Sequence, residues 1–392
     1  MSVFRSRPAL RWLVPSAAAV AVIGGGAAAG TIVASADPAL PERTAAQLLV
    51  DLQSADPKGL SGTVVQSSDL GLPGVAGLLS QAAGSMAGSG GGGLTSLIAG
   101  SNTARVWYAG EDKARFALVG TDGETDVIRN GQDVWVWRST DNTGTHAVLP
   151  KSETGKPEAL PSGVPSSPQE AADAALAAID PTTKVATTGA AEVAGRDAYE
   201  LVLSPKDTNS LVGQVRLAID ATEHIPLRVD VYAKNATKPA FRVAFEQISF
   251  VVPDAEQFTF NPPPGAKVDE AGQVFGAADA KREAGKAKAE AQAEAHKALG
   301  EGGEPKVIGK GWTSIITAKL PGDSALAEAE KAAKKDGAEA EQLQGFLDVM
   351  PKVSGTWGSG RLLSGALFSV LLTDDGRVFA GAVTPEALYA VA

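Results

Sequence analysis

The chain of 392 residues contains no cysteine, which excludes disulfides, thiolate nucleophiles, cysteine-ligated zinc and a lipid anchor on an N-terminal cysteine. Histidine is nearly as scarce: His146, His224 and His296 stand far apart, with no second ligand at metal spacing. Aromatic residues make up only 5% of the chain and methionine occurs three times, so the core packs mostly small side chains. Basic residues are outnumbered, with a net charge of −10. An acidic body lacks the basic surface that phosphate neutralisation needs, which argues against nucleic acid and against adhesion to anionic lipid by charge alone.

Catalytic motifs are missing as well. The run from Gly303 to Gly311 has the wrong glycine spacing for a phosphate-binding loop, and Lys310 is followed by Gly311 instead of Ser or Thr. Gly358-Ser359-Gly360 is not a nucleophile elbow. Asp374-Asp375 belongs to a turn, and no carboxylate pair can be placed across a cleft from sequence. The expectation is a protein that is not an enzyme and needs no metal or other cofactor, with a hydrolase as the remote alternative.

What is present begins with an export signature. Arg5, Arg7 and Arg11 precede an uncharged run that ends in Ala34-Ser35-Ala36, a small-x-small cleavage pattern. Residues 1–36 read as a cleaved signal peptide or as an uncleaved anchor through 12–36, and both put the remainder outside the cytoplasm. Losing them takes the net charge from −10 to −13.

Residues 41–56 carry Ala45, Leu48, Leu49 and Leu52 at helical spacing and stop at Asp56-Pro57. A first strand follows at 60–66. Residues 70–101 form an uncharged, Gly-rich insertion holding Leu72, Val75, Leu78 and Leu79. That insertion is either a mobile loop capping the core or a lid over a hydrophobic mouth. Strands are expected at 104–108, 114–119, 124–129, 133–138 and 145–149, with turn signals between them. Within 133–138, Trp135 and Trp137 share one face and Val134 and Val136 the other, so the strand is buried on both sides or its aromatic face lines a cavity. Ser167-Pro168-Gln169-Glu170 starts a second helix with a capping-box pattern.

From 195 to 264 apolar and polar residues alternate through four further strands. The phase shifts at Glu246-Gln247, since Phe241, Val243 and Phe245 are odd while Ile248 and Phe250 are even. A β-bulge explains the shift. Residues 271–304 read as an Ala/Lys/Glu-rich helical linker, and 305–392 as a small α+β module. In that module, 307–319 is a strand pair or one long strand, helices fall between 323 and 350, and a hairpin turns at Asp374-Asp375-Gly376. Thr384-Pro385-Glu386 starts a last helix.

The fold class that follows is α+β: an unclosed, strongly curved antiparallel β-barrel with helices on its concave side, plus the C-terminal module. The inner face is either filled by those helices or open to a hydrophobic ligand.

The order of these elements over 37–270 resembles the LolA/LolB-like lipoprotein-carrier superfamily. That group includes periplasmic lipoprotein chaperones, RseB-type envelope-stress regulators and lipid-carrying lipoproteins of mycobacteria. The resemblance rests on the N-terminal helix and first strand, Lys113-Ala114-Arg115-Phe116, Asn130 to Trp137, Tyr199 to Lys206, Ile225 to Val229, 241–250, and Phe258-Thr259-Phe260-Asn261-Pro262-Pro263-Pro264-Gly265. It implies a half-barrel with a hydrophobic cavity for acyl chains of lipids or lipoproteins. Trp135, Trp137, Phe116, Phe241 and Phe245 are the cavity candidates, Leu72, Val75, Leu78 and Leu79 the lid candidates, and Arg115 the rim candidate. A membrane-anchored protein bound through 305–392 is a further expected partner, and the protein is expected to be a monomer. The sequence departs from the family in 70–101 and after Ala271.

Overall fold

In this computed structural model, the structure describes residues 40–71, 101–120, 123–149, 181–273, 305–319, 347 and 350–392. The export signature, the lid candidates Leu72, Val75, Leu78 and Leu79, the helix expected at 167–179, residues 274–304 and most of the helical region between 323 and 350 lie outside the described residues.

The first element is helix α1, Ala45–Ser54. It starts with the first residue of the apolar period, later than residue 41, because Thr44 caps it. The Thr44 side chain accepts from the backbone of Gln47, and the Gln47 side chain accepts from the backbone of Thr44, a complete capping box. Such a cap stabilises a helix by about 1 kcal/mol.

Strands β1 (Leu60–Ser68), β2 (Asn102–Tyr108), β3 (Lys113–Val119), β4 (Glu124–Asn130), β5 (Asp133–Arg138) and β6 (Thr143–Val148) form one half of a large sheet. The other half is β7 (Thr183–Val193), β8 (Arg196–Pro205), β9 (Val212–Asp220), β10 (Pro226–Ala233) and β11 (Pro239–Ser249). β12 (Lys267–Gln273) completes twelve strands in the order β12-β6-β5-β4-β3-β2-β1-β11-β10-β9-β8-β7. The end strands β12 and β7 do not pair, so the barrel is open.

All pairings in this sheet are antiparallel except β12 with β6, which run parallel. The Pro-rich stretch after β11 does more than close the strand series. It crosses the sheet through a 3₁₀ turn, Ala255–Phe258, and delivers β12 to the far edge. The β1–β11 register steps from Thr63↔Gln247 to Val64↔Phe245, leaving Glu246 unpaired. This is the bulge that the shift from odd to even apolar positions required.

The C-terminal residues form a six-stranded sheet, β13-β14-β18-β17-β16-β15. Its strands are β13 (Lys306–Ile308), β14 (Ile315–Lys319), β15 (Lys352–Gly355), β16 (Gly358–Ser364), β17 (Ser369–Thr373) and β18 (Arg377–Gly381). Residues 307–319 are therefore a strand pair, turning at Gly309 with φ of 82°. The run 360–373 is two strands, since Gly365 and its neighbours turn the chain. Helix α2, Pro385–Tyr389, packs Leu388 against Leu371 and Phe379.

The two sheets touch directly. Leu211 N donates to Ala382 O at 2.9 Å, Thr384 N donates to Asn209 O at 3.1 Å, and Ala366 N donates to Leu70 O at 2.7 Å. Trp312, Leu367 and Ala382 of the small sheet pack against the cluster around Phe241 in the large one. Among the described residues, no helix is long and apolar enough to cross a membrane.

Candidate functional site on two faces of the large sheet

Directly paired strand residues lie on the same side of a sheet, so the register assigns each candidate to a face. One row runs Val106↔Phe116↔Val127↔Val136, from β2 to β5. The same face carries Phe241, Val243 and Phe245 of β11, which pair with Ser68, Gln66 and Val64. It is the face on which α1 sits: Leu48 is fully buried against Tyr199, Leu201 and Ile219.

Three regions divide this helix-bearing face. α1 covers β7 to β9. The small sheet covers the centre, where Phe241 is only 2% exposed among Ala104, Leu118, Val212 and Val231. Towards β5 the cover thins. Val106, Phe116 and Val136 are half-buried, and Val127 is 38% exposed. Four strands spaced about 4.8 Å apart give this apolar row a length of about 14 Å. One lipid leaflet holds about 15 Å of hydrocarbon. Nearby, Gly62 has no room for a side chain, because a Cβ there would lie 2.9 Å from the Phe245 ring. The missing side chain is what lets Phe245 lie across β1.

The second row on the other face is Trp107↔Arg115↔Ile128↔Trp135, and beside it Ala117↔Asp126↔Trp137. The five aromatic candidates are thus split. Phe116, Phe241 and Phe245 share the helix-bearing face; Trp135 and Trp137 lie on the opposite one, together with Arg115. Strand alternation imposes this, since Arg115 and Phe116 are adjacent in sequence.

The chain crossing from β11 to β12 covers the tryptophans. Phe260 lies 5.0 Å from Trp135 and 6.5 Å from Trp137, centroid to centroid. Trp137 Nε1 donates to Asn142 Oδ1 at 3.3 Å. Beneath the crossing is a cavity of about 270 Å³ between Arg115, Asp126, Trp137 and the crossing residues Phe260, Asn261 and Pro263. That is just below the range usual for small-molecule sites. Arg115 spends its guanidinium on the buried Asp126, through Nε at 3.1 Å and Nη2 at 2.5 Å, and stacks over Trp107 at 5.1 Å. Its Nη1 reaches Gln257 O at 3.4 Å, so Arg115 also holds the crossing segment down.

His146 sits at the edge of this face. Its ring stacks on Trp135 at 4.0 Å, while Nε2 lies 2.9 Å from Asp133 and Nδ1 2.8 Å from Glu270. Burial disfavours the charged ring, but hydrogen bonds to Asp133 and Glu270 and their negative charge outweigh it, and the pKa is raised. The two carboxylates flank opposite edges of the ring and do not converge on a common point. Among the described residues, no group of three or more His, Asp or Glu could hold a metal ion. His224 occupies a turn with φ of 58°, and His296 lies outside the described residues.

Sequence reasoning missed Asp126, Phe260 and the His146 clamp, all of which depend on long-range pairing. The Val127 and Val136 row had a signal: both alternate with residues of the tryptophan face.

Residues 98–261 match the family model described as the MucB/RseB N-terminal domain. Over that stretch the chain is similar to this domain. The match starts just before β2 and ends in the crossing segment, so α1, β1 and the small sheet fall outside it. Among solved structures, a chain of the Pseudomonas aeruginosa MucA/MucB complex is 15% identical over 88% of this chain and 96% of its own, with a TM-score of 0.39. A LolA superfamily protein from Nitrosomonas europaea is 12% identical over 56% of this chain and 99% of its own, with a TM-score of 0.21. No curated protein matches the sequence.

Proposed function

We propose that this is an exported binding protein of the cell envelope that holds acyl chains of lipids or lipidated proteins against the helix-bearing face of the half-barrel. The observation that carries this reading is the Val106–Phe116–Val127–Val136 row. It is apolar over the span of one leaflet's chains and is less covered than the rest of the face. Val127 and its neighbours would meet the chain, Phe116 would form the inner wall, and Phe241 and Phe245 would support that wall from the core. Leu72, Val75, Leu78 and Leu79, from an uncharged insertion next to β1 and β2, are proposed as its lid. No cofactor enters the binding step, and a monomer suffices for it. The export signature at residues 1–36, cleaved or retained as a tether, is consistent with this location.

The role of Trp135, Trp137 and Arg115 is then different. They hold the crossing segment on the opposite face, and their cavity is too small for a long chain. Detergent-free purification, organic extraction and mass spectrometry test the reading. Co-purifying lipid supports it, and protein that is empty and also fails to bind a fluorescent fatty acid contradicts it.

The match to the MucB/RseB N-terminal domain favours a second reading, an envelope-stress interaction protein whose 305–392 module binds a membrane-anchored partner. Deleting 305–392 should then abolish capture of the partner while fatty-acid binding persists. Retention of both activities after truncation contradicts a partner-binding role for the module.

A further inference from the structure

We propose that the face of the large sheet turned away from α1 docks an acidic polypeptide segment, at a site separate from the acyl-binding row. The register places six cationic side chains there on β2 and β7 to β11: Arg105, Lys184, Arg196, Arg216, Arg228 and Arg242. Against them the same strands place three acids, Glu200, Asp220 and Asp230. Glu246 sits in the bulge, outside the paired rows. This part of the face thus carries a local excess of positive charge on a chain of net charge −10.

The arginines are held in place from below. Asp230, fully buried, accepts from Arg242 Nε at 2.6 Å and Nη2 at 2.9 Å, and lies 3.1 Å from Arg228 Nε. Glu200 accepts from Arg228 Nη2 at 2.7 Å and Arg216 Nη1 at 3.3 Å. Three arginines therefore share two carboxylates, and one positive charge is left over in the chain. Arg216 also stacks over Tyr232 at 5.0 Å. Guanidinium groups fixed this way lose little freedom on accepting a carboxylate, and their planar donor edges suit bidentate pairing.

Spacing and depth favour a peptide over a lipid surface. Arg216, Asp230 and Arg242 form one straight row, so the two arginines stand about 9.6 Å apart. Arg216, Arg228 and Arg242 have side-chain exposures of only 34%, 12% and 23%. Glutamate side chains can reach down to groups at that depth, whereas a planar headgroup layer needs cations that protrude.

Fluorescence anisotropy with the full chain tests the proposal, using labelled poly-glutamate, poly-glutamine as control, and phosphatidylglycerol vesicles. Poly-glutamate should bind, and weaken at least tenfold between about 50 and 300 mM salt. Arg105 and Lys184 are exposed and lie outside the arginine–carboxylate chain, so R105E with K184E should keep the melting temperature and weaken binding at least fivefold. Binding no tighter than poly-glutamine overturns the proposal, and so does binding unchanged in the double variant. Capture of the vesicles without poly-glutamate binding overturns it in favour of a lipid surface.

Discussion

Trp312 Nε1 donates a hydrogen bond of 2.7 Å to Thr183 Oγ1, tying the start of the small sheet to β7, the last strand of the large one. The indole also packs beside the Phe241 cluster. The small sheet is therefore part of the cover on the helix-bearing face. Trp312→Ala should cost about 2–4 kcal/mol, less than a fully buried tryptophan because the side chain is only half-buried. Denaturant melts of the whole chain should then lose their single transition, with the small sheet unfolding first. An unchanged melt would show that the contact does not couple the sheets.

His146 gives a pH dependence with a definite sign. Its pKa is raised in the folded protein by Asp133 and Glu270, which outweigh burial. A raised folded pKa contributes stability that is complete below the unfolded value, about 6.5, and is lost as pH rises through the folded value. The neutral ring donates to one carboxylate only, so the β12–β6 edge should loosen on the alkaline side of that window. His146→Gln should flatten the pH dependence of stability above pH 6. The Trp135 fluorescence change that accompanies His146 titration should vanish in the same variant. A titration that leaves Trp135 emission unchanged in the wild-type protein contradicts the clamp.

Glu246 should matter by its presence and little by its identity. Glu246→Ala should alter stability by no more than about 0.5 kcal/mol, as is usual for an exposed position. Deleting Glu246 removes the bulge and turns Ile248 and Phe250 to the opposite face. That deletion should lower the melting temperature sharply or prevent folding. Equal stability of both variants would mean that the register is not fixed by the bulge.

The sequence made most strands of the large sheet legible because they have their own alternation and turn signals, and the bulge because odd apolar positions became even ones. Helix α1 was legible for the same reason, although its start depends on the Thr44–Gln47 cap. The side of the sheet on which Trp135 and Trp137 lie relative to Phe241 was not. That relation follows from pairing across six strands, and no local pattern carries it. β12 was hidden too, since its partner β6 is more than a hundred residues away and its parallel pairing leaves no hairpin signature. The His146 clamp needed both facts, because Asp133 and Glu270 reach it from β5 and β12.

Core and binding wall should separate on mutation. Phe241→Ala should destabilise the protein by about 3–5 kcal/mol, as expected for a fully buried aromatic side chain. Val127→Asp, at a partly exposed position, should leave the melting temperature within a few degrees of wild type.

Fatty-acid binding by Val127→Asp tests acyl-chain holding most directly. A fluorescent fatty acid titrated into wild-type and variant protein should bind the wild type, and bind Val127→Asp at least tenfold more weakly at unchanged fold stability. Equal affinity in the two proteins would place the acyl chain elsewhere, and no binding by either would contradict acyl-chain holding altogether.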